Sequence, residues 1–319
     1  MLTNPILWLR PRSDGPVRML GQARGFQSST LREGVQVQEL LTVRRVPMYL
    51  VLLTFLLDLI FSVTNNGWLY GLPFFRSLLI SQDLIEPDLL ANIFILLLEL
   101  IVILGVIRVR PNQVRTDRWQ TGHGLVFALA CVDLLLIAYP FFAFSTNQPP
   151  KLETYITTFW IGRFLTFTLG VALSEEILYR GFFLGQFYQH IELENQENRL
   201  ALALLTSQAL FAIIHIPARV MTWGTEPDRL PLELFSLFGM GLAYAFIYLR
   251  TRSLVAAIVA HALVDLIVSL PGSPVLPKLL IFSAVGVVTM AWPWLANARA
   301  PLFRRVQSLK VQSLKVEAQ

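Results

Sequence analysis

Glu175 and Glu176 stand side by side in an apolar stretch, and Arg180 follows Glu176 by four residues. His215, His261 and Asp265 lie further along, inside other apolar stretches. These residue types at these spacings could carry out acid–base hydrolysis. Adjacent helical residues point about 100° apart, so the two glutamates face different neighbours. Arg180 can meet Glu176 across one turn, which would keep that carboxylate ionised and fixed in place. Glu175, less compensated, is left to take a proton from water as a general base. His261 and Asp265 form a second pair at i, i+4. A carboxylate at that distance can fix an imidazole tautomer or share in binding a metal or a substrate. His215 follows Phe211 by four residues and precedes Ile216-Pro217, where a helix must end or kink.

An ionisable group at the centre of a membrane helix costs about 2.5–3.5 kcal/mol on insertion scales, so it usually faces a bundle interior or a wet cavity. Singly, a histidine in such a place reads as a satisfied packing residue, and a Glu–Arg pair as an ion pair at a helix end. The gathering of six such groups in the second half of the chain favours a site. Asp58, Glu99 and Asp133 are single acids, one per apolar stretch, and read as interhelical hydrogen-bonding groups or neighbours of a wet cleft. His123 and His190 fall at the ends of stretches and read as surface residues.

The elements that must position these groups are membrane helices. The 319-residue chain is 55% hydrophobic and only 15% charged, with a mean hydropathy of +0.58. A soluble domain carries about 25% charged residues. The single cysteine, Cys131, excludes an intramolecular disulfide and any Cys-based zinc cluster. The net charge is +5, but the arginines mark the ends of apolar stretches and form no stripe for nucleic acid. Crossing a hydrocarbon core of about 30 Å takes roughly 20 helical residues. Eight stretches suit: 46–63, 89–107, 124–144, 155–188, 200–216, 232–249, 254–270 and 275–295. Breakers at Gln148-Pro149-Pro150, Pro227, Pro231 and Pro271-Gly272-Ser273-Pro274 separate the later ones. The expected fold is an all-α, polytopic transmembrane helix bundle of about eight spans. With alternating spans that start inside, 20 of the Lys and Arg residues face inward and six outward, so both termini are expected in the cytoplasm. The chain divides into a polar, arginine-rich extension (1–45), N-terminal spans (46–150), a core carrying the candidate site (151–296) and a polar tail (297–319). The extension reads as a cytosolic segment or as an organelle transit peptide. The tail repeats QSLKV at 307–311 and 312–316.

The residues carrying the chemistry resemble the three motifs of the CPBP family, the CAAX proteases and bacteriocin-processing enzymes also called the Abi family. Residues 174–181, reading SEEILYRG, resemble its EExxxR motif. Phe211 to His215 is similar to FxxxH, and His261 to Asp265 to HxxxN or HxxxD. The resemblance covers residues 156–270 and implies an eight-helix endopeptidase working in a membrane cavity. It implies that the motif glutamates activate a water while the motif histidines polarise the scissile carbonyl. Glu175 is then the base, with Glu176 orienting the water or sharing that role while Arg180 holds it. His215 and His261 act on the carbonyl, with Asp265 buttressing His261. Asp265 stands where the prenyl proteases usually carry Asn. The expected substrate is therefore a peptide, and a prenylated protein less surely.

The family is often named as metalloproteases. Glu175, His215 and His261 could form a zinc set with an open position, and a metal-free glutamate mechanism stays beside it. The other classes are a catalytically silent membrane chaperone or immunity protein and, less favoured, a transporter. Membrane lipid is the expected surroundings, in the cell membrane of a prokaryote or in an organelle membrane. Depth adds one expectation. At 1.5 Å per residue, Glu175 lies about 18 Å from Arg163, His261 about 14 Å from Arg252 and His215 about 24 Å from Arg199. For His215 to reach Glu175, the fifth span must start well out in the cytosol or tilt strongly, with the cavity opening toward the cytoplasmic half of the bilayer.

Overall fold

A computed structural model describes Leu41 and residues 44–68, 87–106, 118–145, 164–268 and 281–296. The described residues belong to one unit that begins at Leu41. The polar tail, the breakers at 148–150 and 271–274, Arg163 and the Glu99 side chain lie outside them.

Among the described residues there is no strand, and eight helical stretches follow one another. They are α1 (Met48–Gly67), α2 (Pro87–Leu100, then a π-helical end at Ile101–Val106) and α3 (Arg118–Ser145). The next, α4, runs through Thr166–Ala172, Leu173–Glu175, Glu176–Phe183 and Leu184–His190. They are followed by α5 (Gln196–Ile214), α6 (Leu230–Thr251) and α7 (Leu254–Val268), and then by α8 (Ile281–Ala296). Among the described residues three helices are long and apolar enough to cross a membrane: Met48–Gly67, Gln196–Thr222 (α5 together with a π-helical end at Ala218–Thr222) and Leu230–Thr251. Thr121–Leu135, Leu254–Leu266 and Ile281–Ala296 are apolar but shorter. Leu52, Leu56, Ile60, Phe94, Leu97, Phe235 and Trp294 are exposed on outer faces, which suits hydrocarbon better than water.

Local chemistry sets the ends of the helices that hold the site. Asn195 caps α5, its side chain accepting from the backbone N–H of Glu197 and Asn198 at 2.8 and 3.3 Å. The far end of α5 stops at Ile214 because Pro217, three residues on, has no N–H to offer. The Ile214 carbonyl at this end accepts from the Ser62 hydroxyl on α1 at 3.1 Å. A tight link joins α6 to α7. Arg252 takes a left-handed conformation (φ 54°), and Ser253 accepts from the Ala256 N–H at 3.2 Å, so the chain reverses at once. Tyr244, eight residues before Arg252, and His261, nine after it, thereby arrive at one level.

The bundle core joins α3, α6, α7 and α8 through Phe127, Cys131, Ile247, Ala260, Val285 and Trp292. A Cβ on Gly124 would collide with Val255, so α3 and α7 approach as closely as small residues permit. Asp58 answers to its expected role: its carboxylate accepts from the Tyr179 hydroxyl at 2.7 Å, joining α1 to α4. Asp133 is exposed. The two outlying histidines are more engaged than surface residues would be. His123 meets Trp292 edge-on at 5.6 Å, and the ring of His190 contacts the Val46 carbonyl at 2.6 Å. Arg44 to Pro47 lie against α4, where the buried Gln186 accepts from the Val46 N–H and donates to the Arg44 carbonyl, both at 2.9 Å.

Candidate active site

The sequence supplies α4 with two acids and a base in an apolar setting, and the backbone answers with wide turns. Glu176–Phe183 is π-helical, a form often found at functional sites. Glu176 and Arg180 are wholly buried. The guanidinium donates from Nη1 to Glu176 Oε1 at 2.8 Å and from Nη2 to the Gly241 carbonyl on α6 at 3.0 Å. It also lies over the Phe211 ring, 4.4 Å from the centroid. Glu176 is therefore the fixed carboxylate, as its spacing from Arg180 predicts.

Glu175 is set differently. About a fifth of its side chain is exposed, against none of Glu176, so water can reach Glu175. Its Oε1 lies 3.6 Å from His215 Nε2 and its Oε2 3.7 Å from His261 Nε2. Both separations exceed a direct hydrogen bond and suit a bridging water. One carboxylate is thus flanked on its two oxygens by imidazoles from two other helices.

Proton positions follow from the partners. His215 Nδ1 lies 2.7 Å from the Phe211 carbonyl. A carbonyl can only accept, so Nδ1 carries the proton, and in neutral His215 the Nε2 lone pair faces Glu175. The Phe211 ring also meets the His215 imidazole edge-on, with centroids 4.8 Å apart. His261 Nδ1 donates to Glu176 Oε1 at 2.8 Å, and its Nε2 lies 3.3 Å from Asp265 Oδ2. A bare nitrogen would repel the carboxylates of Asp265 and Glu175, so a proton must sit among the three groups.

All six residues singled out by sequence, Glu175, Glu176, Arg180, His215, His261 and Asp265, come together around one point between α4, α5 and α7. Four further residues complete the surroundings. Gly241 supplies the carbonyl on Arg180. Tyr244 stacks on the His261 ring at 4.3 Å and 19°. Gln208 and Ser207 are wholly buried on α5, and the Ser207 hydroxyl donates to the Tyr179 carbonyl at 3.0 Å. A search confined to ionisable groups passes over them. The signal open to sequence was the trio of neutral polar residues, Thr206-Ser207-Gln208, within an apolar run.

A Cβ at Gly241 would lie 2.7 Å from Gln208 Oε1, 2.9 Å from Phe211 Cδ1 and 3.4 Å from Arg180 Nη2. Gly241→Val should therefore push α6 away from the Arg180 guanidinium and lower stability by about 1–3 kcal/mol, the usual cost of overpacking. Thermal unfolding in detergent, compared with Gly239→Val at a position with open space around it, measures this. Equal midpoints for the two variants would refute it.

The zinc expectation concerns Glu175, His215 and His261. Among the described residues no group of three or more His, Cys, Asp or Glu is arranged to hold a metal ion. Both Nδ1 atoms are engaged, by Phe211 and by Glu176, and both Nε2 atoms face Glu175, at 3.6 and 3.7 Å.

A carboxylate flanked by two imidazoles, with a second carboxylate locked by arginine, is thus assembled between helices. Residues 157–267 match the family model described as Type II CAAX prenyl endopeptidase Rce1-like. That segment contains all three motifs and all six residues, so the CPBP resemblance holds over it and the family is one of membrane-embedded proteases. No curated protein and no solved structure matches the chain.

Proposed function

We propose that this chain is a multi-pass intramembrane endopeptidase that hydrolyses a peptide bond with a water activated by Glu175. The observation that carries the reading is the flanking of Glu175 by His215 and His261, on opposite oxygens, beside a Glu176 already neutralised by Arg180. The water oxygen attacks the scissile carbonyl carbon, and its proton passes to Glu175. The oxyanion takes a hydrogen bond from the proton held between His261 Nε2 and Asp265, 3.3 Å apart. His215, with its lone pair facing the cavity, holds the water by accepting a hydrogen bond from it. Collapse of the intermediate breaks the C–N bond, and the proton on Glu175 goes to the departing amine. Glu176 orients His261 and takes no proton from the water.

The Lys and Arg asymmetry supports cytoplasmic termini, and the level shared by His215 and Glu175 suits a cavity reached from the cytoplasmic half. The substrate is a peptide segment at the membrane. Incubating the purified full chain with membrane extract, and mapping new peptide termini against a Glu175→Ala control, tests the reading. Termini absent from the wild-type reaction would favour a catalytically silent chaperone. In the same assay, prolonged chelator treatment should leave cleavage within about twofold of the untreated rate. Loss of cleavage that zinc restores would contradict the glutamate mechanism.

A further inference from the structure

Tyr244 is almost wholly buried (3% exposed) on α6, three residues after Gly241. Its ring lies face to face with the His261 imidazole, centroids 4.3 Å apart and planes 19° from parallel. The same ring stands 5.5 Å from the Arg180 guanidinium carbon. Phe211 approaches His261 from another direction, edge-on at 6.1 Å. His261 itself carries no covalent constraint on its ring plane beyond its rotamer, yet both of its nitrogens must be aimed at once. Nδ1 is held on Glu176 at 2.8 Å, while Nε2 points between Asp265 at 3.3 Å and Glu175 at 3.7 Å. A small rotation of the ring would open one of these distances to close another.

We propose that Tyr244 is a positioning residue for His261, its ring fixing the imidazole plane so that Nδ1 stays on Glu176 while Nε2 faces the reacting water. The constraint is exerted by the ring face and not by the hydroxyl, which has no hydrogen-bond partner among the described residues. Tyr244 also borders an apolar cavity of about 150 Å³ with Met240, Ile247, Val264, Val285 and Met290. A flexible aliphatic side chain at 244 would thus leave room for the imidazole to turn. The proposal rests on the hydrolase reading above, but its geometric part can be tested without it.

The experiment compares Tyr244→Leu, Tyr244→Met and Tyr244→Phe in the full chain, by cleavage kinetics and by NMR of the histidine ring protons. The His261 resonances are assigned with His261→Gln. In the wild type, the stacked tyrosine should shift those resonances by its ring current. Leu and Met should return them toward ordinary imidazole positions and lower kcat roughly tenfold with KM unchanged, the signature of an interaction realised in the transition state. Tyr244→Phe should restore both the shift and most of kcat. Two aliphatic variants are included so that one misfolded protein does not decide the matter. Unshifted His261 resonances in the wild type, or kcat in Leu and Met equal to that of Phe, would overturn the proposal. So would a loss in Phe as large as in Leu, since that would transfer the role to the hydroxyl. A wild-type chain without cleavage activity would instead count against the hydrolase reading, and the resonances would still decide the positioning.

Discussion

Glu175→Gln is expected to lower turnover by about 10³-fold or more, with expression and unfolding midpoint close to the wild type. The amide has the same shape and still accepts a hydrogen bond, but it cannot take a proton from water. General base catalysis is typically worth about 10²–10⁴-fold, and here the same oxygen pair also returns the proton to the leaving amine. Folding should be spared because Glu175 makes no short hydrogen bond of its own: its nearest imidazoles stand at 3.6 and 3.7 Å. The loss should fall on kcat, with KM little changed. Full turnover in this variant would remove Glu175 from the chemistry.

Arg180→Ala should fail in another way, by loss of the folded protein. Arg180 is wholly buried, and it is bonded to Glu176 at 2.8 Å and to the Gly241 carbonyl at 3.0 Å. Removing it leaves a buried carboxylate without its cation, which typically costs about 3–5 kcal/mol. Proteins are stable by only about 5–15 kcal/mol, so expression and monodispersity in detergent should collapse. Arg180→Lys should not restore it, because a point charge cannot span Glu176 and Gly241 as the guanidinium fork does. The double variant Arg180→Met with Glu176→Gln should regain most of the stability, since no uncompensated charge remains and the amide oxygen can still accept from His261. It should remain inactive. A single Arg180→Ala protein that folds and unfolds like the wild type would show that the pair does not hold the bundle together.

The site was more legible in the sequence than the way the helices meet. Helical spacing alone pairs Glu176 with Arg180 and His261 with Asp265, because i, i+4 side chains share a face whatever the surroundings. Insertion cost argues that charges in separate apolar helices belong together, and His215 does reach Glu175 from another helix. Spacing could not show that Glu176 serves two partners at once, since the second, His261, arrives from 85 residues away. Nor does spacing mark the wide turns of the fourth stretch. The π-helical turns of α4 depend on an extra residue per hydrogen-bonded ring, which no apolar pattern records. Gly241, Tyr244 and Gln208 escaped because a neutral residue in an apolar run carries no insertion penalty large enough to mark it. The tight turn at Arg252, which sets Tyr244 against His261, rests on a left-handed residue that is not glycine, so its usual marker was missing.

The central claim is that water, deprotonated by Glu175, cleaves a peptide bond in this cavity. It is tested most directly by running the reaction in H₂¹⁸O with a substrate identified from the mapped termini, in reconstituted vesicles. Mass spectrometry of the new C-terminal carboxylate then reports where its oxygen came from. The account predicts one ¹⁸O per new C-terminus in the wild type and no new C-terminus above background with Glu175→Gln. Equal cleavage by the two proteins, or new C-termini without the label, would contradict it.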